Sequence, residues 1–125
     1  MTVSKLISVV DDDESVRESL PDLLRSFGME VEAFSSAEAF LESDSLERTG
    51  CLILDIAMPE MSGPELQQEL LRRQLGFPIV FITANSDERM RPEVLRCGAA
   101  AYVLKPFSEA ILLEAVIAAL ARGGA

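Results

Sequence analysis

Apolar positions gather in five short runs: Leu6-Ile-Ser-Val-Val10, Val31-Glu-Ala-Phe34, Cys51-Leu-Ile-Leu54, Pro78-Ile-Val-Phe-Ile82 and Ala101-Tyr-Val-Leu104. The first, third and fourth are nearly continuous in aliphatic residues, the pattern of strands covered on both faces. Between the runs the apolar spacing lengthens to that of helices. Val16, Leu20, Leu23, Leu24 and Phe27 share one helical face that ends at Gly28. Pro21 interrupts that helix beyond its first turn and predicts a kink or a lost backbone bond. Ser35-Ser-Ala-Glu38 reads as a capping box for the second helix, and Gly63-Pro64 as the start of the third. Ser86 is expected to cap the fourth helix, which closes at Cys97-Gly98. The fifth is expected from about Ser108 to Leu120, with residues 121–125 a frayed tail.

Strand and helix thus alternate five times, which predicts an α/β fold with a doubly wound five-stranded parallel sheet. No linker, repeat or biased segment divides the chain, so residues 1–125 read as one domain. Its apolar content of 49% over 125 residues suffices for a single core. No apolar run approaches the roughly 20 residues of a membrane helix, and no basic-then-apolar leader opens the chain. Cys51 and Cys97 lie in apolar contexts and are expected to be buried, reduced thiols of a cytoplasmic protein. The absence of histidine makes zinc enzymes and Ser-His hydrolases poor readings.

Net charge is −10, which disfavours direct contact with nucleic acid or anionic membrane. Residues 1–50 carry −8 of it. That excess reads either as solubility or as carboxylates placed for a cation or a basic partner. In an open parallel sheet, ligands bind beyond the carboxyl ends of the strands. Strand one runs into Asp11-Asp12, strand three into Asp55, strand four into Thr83 and strand five into Lys105. Each has a plainer role: a helix cap for Asp11, Asp12 or Asp13, a loop acid for Asp55, a strand-end hydroxyl for Thr83, a solvated turn residue for Lys105. Taken together, they suit one site. Three carboxylates in a cleft repel one another and favour a hard cation such as Mg²⁺, and Lys105 then balances the charge. A carboxylate nucleophile, a metal, an ammonium and a hydroxyl are the parts that phosphoryl transfer to an aspartate needs.

Val9-Val-Asp-Asp12, Leu54-Asp-Ile-Ala-Met-Pro59 with Met61-Ser-Gly63, Ile82-Thr-Ala84 and Tyr102-Val-Leu-Lys-Pro-Phe107 resemble the receiver domains of two-component response regulators. The resemblance covers essentially the whole chain, and Ser36-Ala-Glu-Ala-Phe-Leu41 brings it closest to the FixJ-like branch. It implies a flavodoxin-like fold of strand order 2-1-3-4-5 and a signalling role rather than an enzymatic one. It implies Asp55 as phosphoacceptor, and at the Mg²⁺ site Asp12 as the direct ligand, Asp11 as an acid acting mainly through water, and Asp55 and the Ala57 carbonyl as the further protein ligands. Thr83 is similar to the switch hydroxyl, Tyr102 to the aromatic that moves with it, and Lys105 to the lysine that pairs with phosphoryl oxygens. Lys105–Pro106 would be a cis peptide. A sensor histidine kinase or phosphotransfer protein is the implied partner, and helix four, strand five and helix five the implied surface for a phosphorylation-dependent homodimer. Relatives of this branch usually continue into a helix-turn-helix DNA-binding domain.

Arg91-Pro92 places a proline in helix four, Asn85-Ser86 stands where His-Gly or Glu-Gly is common, and Ala57 cannot orient water through its side chain. Three other readings remain open. A Mg²⁺-dependent phosphatase with an aspartyl-phosphate would need a second acid two residues after Asp55, and that position is Ala57. A flavodoxin-like nucleotide module would need a Gly-rich loop where Asp11-Asp-Asp-Glu14 stands. A phosphorylation-independent pseudo-receiver would not require the acid, threonine and lysine set.

Overall fold

The computed structural model describes residues 6–84 and 89–123. Five strands, β1 (Leu6–Val10), β2 (Glu30–Phe34), β3 (Thr49–Asp55), β4 (Ile79–Thr83) and β5 (Ala101–Leu104), pair in parallel in the order β2-β1-β3-β4-β5. Helices α1 (Glu14–Arg25), α2 (Ala37–Leu41), α3 (Gly63–Arg72), α4 (Met90–Arg96) and α5 (Glu109–Gly123) alternate with them. This is the doubly wound sheet that the alternation predicts.

The side-chain period of two divides the core. Ile7, Val9, Ile53, Val80 and Ile82 pack with Leu20 and Leu24 of α1 and with Leu112 and Val116 of α5. Val10, Leu52, Leu54 and Phe81 face the other way, onto Phe40 of α2, Leu66 and Leu70 of α3 and Val94 of α4. Every residue of β1 and β4 is buried, because both faces are covered and both edges are paired. The β3–β4 register sets Asp55 beside Ile82, and the β4–β5 register sets Thr83 beside Leu104. Asp55 and Thr83 are therefore the last residues of their strands, at one edge of the sheet.

Several local expectations are corrected. Ser36, not Ser35, caps α2: its hydroxyl accepts the Ala39 N–H at 3.0 Å, which puts Glu38 one position too early for a capping box. Phe27 is 55% exposed, because α1 ends at Arg25 and Gly28, at φ 85°, turns the chain away. Helix α1 runs on through the buried Pro21, which lacks the N–H that would reach the Arg17 carbonyl. Pro92 falls in the first turn of α4, where backbone N–H groups have no intrahelical acceptor in any case. Helix α5 continues past Leu120 to Gly123, since Ala121 and Arg122 are good helix formers and Arg122 sits favourably in the last turn. Residues 124 and 125 lie outside the described residues, as does the expected cap Ser86. Of the two thiols Cys51 is buried, and burial pushes it up to about 12, whereas Cys97 is half-buried. Among the described residues no helix is long and apolar enough to cross a membrane.

Candidate metal and phosphoryl site

Asp11 leaves β1 fully buried and is held at three points. Its Oδ1 accepts the Asp13 N–H at 2.8 Å, its Oδ2 accepts Lys105 Nζ at 2.8 Å, and its backbone N–H donates to the Phe34 carbonyl at 3.2 Å. Arg17, one turn into α1, donates to the Asp11 carbonyl at 2.9 Å. Asp13 caps α1 by accepting the Ser15 N–H at 2.9 Å. The cap role weighed for the three consecutive acids thus belongs to Asp13. Asp12 stands between them, exposed.

Asp55 is 5% exposed at the end of β3. Carboxylate oxygens of Asp11, Asp12 and Asp55 lie within 4.8 Å of one another. Burial, and then the charge of Asp11, push the Asp55 carboxyl up from 3.8 to about 7; Asp12 adds to the rise, while Lys105 and a hydrogen bond from the Ala57 backbone offset part of it. A carboxyl raised first by burial and then by two acid neighbours sits in a site short of positive charge. The donor set is all oxygen, partly open through Asp12 and Ala57, and fits a hard divalent cation that keeps some of its waters.

Lys105 reaches this cluster from the end of β5 with its side chain 14% exposed. Burial works against its charge, but the hydrogen bond and charge of Asp11 outweigh that and raise its pKa. Its backbone N–H donates to the Thr83 carbonyl at 2.7 Å, and the Lys105–Pro106 peptide is cis, as the resemblance implies. Thr83 is 4% exposed. Thus Asp11, Asp12, Asp55, Thr83 and Lys105 come together at one sheet edge, with Ala57 two residues beyond Asp55. Tyr102 lies apart, three residues before Lys105 on β5, half-buried, with the Arg91 guanidinium carbon 5.6 Å from its ring centroid. Asn85 lies outside the described residues.

The sequence reading did not single out Arg17: nothing in residue order ties it to a carbonyl six positions back. Gly63 entered as a helix start and as part of Met61-Ser-Gly63 in the resemblance, with no role of its own.

A family model for the response regulator receiver domain matches residues 7–117. Nodulation protein W of Bradyrhizobium diazoefficiens is 44% identical over 117 residues, which cover 94% of this chain and 52% of that protein. The chain therefore spans about half the length of such curated relatives. Among solved structures, that of the response regulator StyR superposes with a TM-score of 0.91 at 48% identity, covering 97% of this chain and 61% of that one. The structure of FixJ-N gives a TM-score of 0.87 at 36% identity, covering 97% and 96%.

Proposed function

The chain belongs to the response regulator receiver domains of two-component systems, and from that we propose that it takes up a phosphoryl group on Asp55 with Mg²⁺ bound. The observation that carries this reading is the Asp11–Asp12–Asp55 cluster with Lys105 fixed on Asp11. Asp11, Asp12, Asp55 and the Ala57 carbonyl would hold the metal, which when bound supplies a Lewis acid for the phosphoryl oxygens. Asp55, buried at a strand end, presents a fixed carboxylate as nucleophile. Its oxygen–phosphorus bond forms as the donor's bond to phosphorus breaks, and the leaving group departs with the electron pair. Lys105, already charged and anchored, is in place to pair with the transferred oxygens. Thr83 offers a hydroxyl from the neighbouring strand, and Tyr102 follows it as the switch aromatic.

Receiver domains of response regulators work with histidine kinases, and a sensor kinase or phosphotransfer protein is the donor we propose here. The role is one of signalling in the cytoplasm, with residues 1–125 acting as one receiver domain. Its output surface is the face of α4, β5 and α5, where Tyr102, Leu104 and Ile111 line a 280 Å³ cavity and Leu104 and Ile111 are largely exposed.

Treatment with acetyl phosphate and Mg²⁺, followed by intact-mass measurement, tests the assignment. One added phosphoryl group is expected in the wild type and none in Asp55→Asn. Undiminished labelling of Asp55→Asn overturns it; continuous turnover of the donor points to the phosphatase reading instead.

A further inference from the structure

The first residue of α3 sits directly on the main chain of Asp55. A Cβ built on Gly63 would lie 2.3 Å from the Asp55 carbonyl oxygen and 3.1 Å from both the Asp55 carbonyl carbon and Ile56 Cα. All three are backbone atoms, so no side chain can swing aside. The approach is also bonded: the Gly63 N–H donates to the Ile56 carbonyl at 3.0 Å. On its other side Gly63 is held by Ser62, whose hydroxyl accepts the Glu65 N–H at 3.3 Å while its own N–H donates to Glu65 Oε1 at 2.8 Å. The ten-residue α3 is thereby fastened, through a capped first turn, to the peptide that carries the candidate nucleophile.

We propose that Gly63 is a positioning residue for phosphoryl uptake, its missing side chain letting α3 fix the Asp55 backbone in the attacking register. This rests on Asp55 being the phosphoacceptor. With a methyl group at residue 63, the carbonyl would have to retreat by roughly 1 Å to reach ordinary contact. Asp55 lies at the end of β3, so such a shift moves its carboxylate relative to Asp11 and Lys105, which other strands hold. A misplacement of about 1 Å in a reacting group is enough to cost on the order of 100-fold in rate. Gly63 touches neither donor nor leaving group, so its loss should lower the maximal rate and leave the apparent KM for a small donor unchanged.

Gly63→Ala is compared with Gly76→Ala, where an added Cβ meets nothing within 4 Å. Labelling by acetyl phosphate at saturating Mg²⁺ is measured per folded molecule, beside a calorimetric titration with Mg²⁺ alone. The expected result for Gly63→Ala is a maximal rate at least tenfold lower, an unchanged apparent KM and a several-fold higher Kd for Mg²⁺. Gly76→Ala should stay within twofold of wild type throughout. If Gly63→Ala is only partly folded, trimethylamine N-oxide is added until its far-UV spectrum matches wild type. A wild-type rate in the folded alanine variant overturns the proposal and leaves Asp55 as acceptor; failure of the wild type itself to label overturns both.

Discussion

At the scale of single residues, the raised carboxyl of Asp55 has a defined sign. Its folded value of about 7 exceeds the ordinary 3.8, so folding takes up a proton between those limits. The metal-free protein should therefore gain stability as pH falls from about 7 toward 4. Glu69, held down near 2 by hydrogen bonds from Arg72 and then Arg73, acts with the opposite sign but only below about 4.5, so it does not mask the effect above pH 5. Melting temperatures recorded between pH 5 and 8 should fall with rising pH, and Asp55→Asn should flatten the slope. Saturating Mg²⁺ should raise the midpoint most at the alkaline end, because it offsets the repulsion and binds only the folded chain. Asp12→Ala should remove most of that Mg²⁺ effect, since Asp12 is the exposed member of the cluster, while the cap of α1 is carried by Asp13. A melt unchanged by tens of millimolar Mg²⁺ would count against the metal assignment. Asp55, Thr83 and Lys105 were legible in the sequence because each directly follows or ends an apolar run. The bond from Arg17 and the closeness of Gly63 to Asp55 were not, because both are approaches to backbone that residue order does not encode.

At the scale of elements, caps separate stability from chemistry. Ser62→Ala removes one half of the α3 capping box and should cost about 1 kcal/mol in denaturant unfolding. It adds no atom toward Asp55, so the labelling rate of the folded protein should hold. The α4–β5 pair carries the other test. Arg91 over the Tyr102 ring ties the two elements where the proposed output surface begins. Sedimentation of the protein with a stable phosphoryl mimic should show more dimer than without it, and Tyr102→Ala should weaken that response. The same monomer in both states would refute this surface for the domain. Helix interiors were readable from apolar spacing, while their ends shifted by one to three residues. Ser35 and Ser36 offer the same hydroxyl, and only the path of the chain after β2 decides which of them meets an open N–H.

At the scale of the whole molecule, parallel pairing and the sheet's double cover followed from continuous apolar runs, and strand order from the family resemblance. Strand β3 ends in Asp55 and β1 runs directly into Asp11, both strands paired on two sides. Tyr102 instead lies in β5, an edge strand that among the described residues has only β4 beside it, and Lys105 directly follows that strand. Strands bonded on both sides open only when the whole fold opens; an edge strand opens locally at lower cost. In deuterium exchange, amides such as those of Val9 and Ile53 should therefore exchange only through global unfolding, slowing with Mg²⁺ by no more than the gain in global stability. Those of β5 should exchange sooner and slow when the site is loaded. The acids that would receive the signal are thus built into the most durable part of the sheet, and the residues that would report it into the strand that breathes.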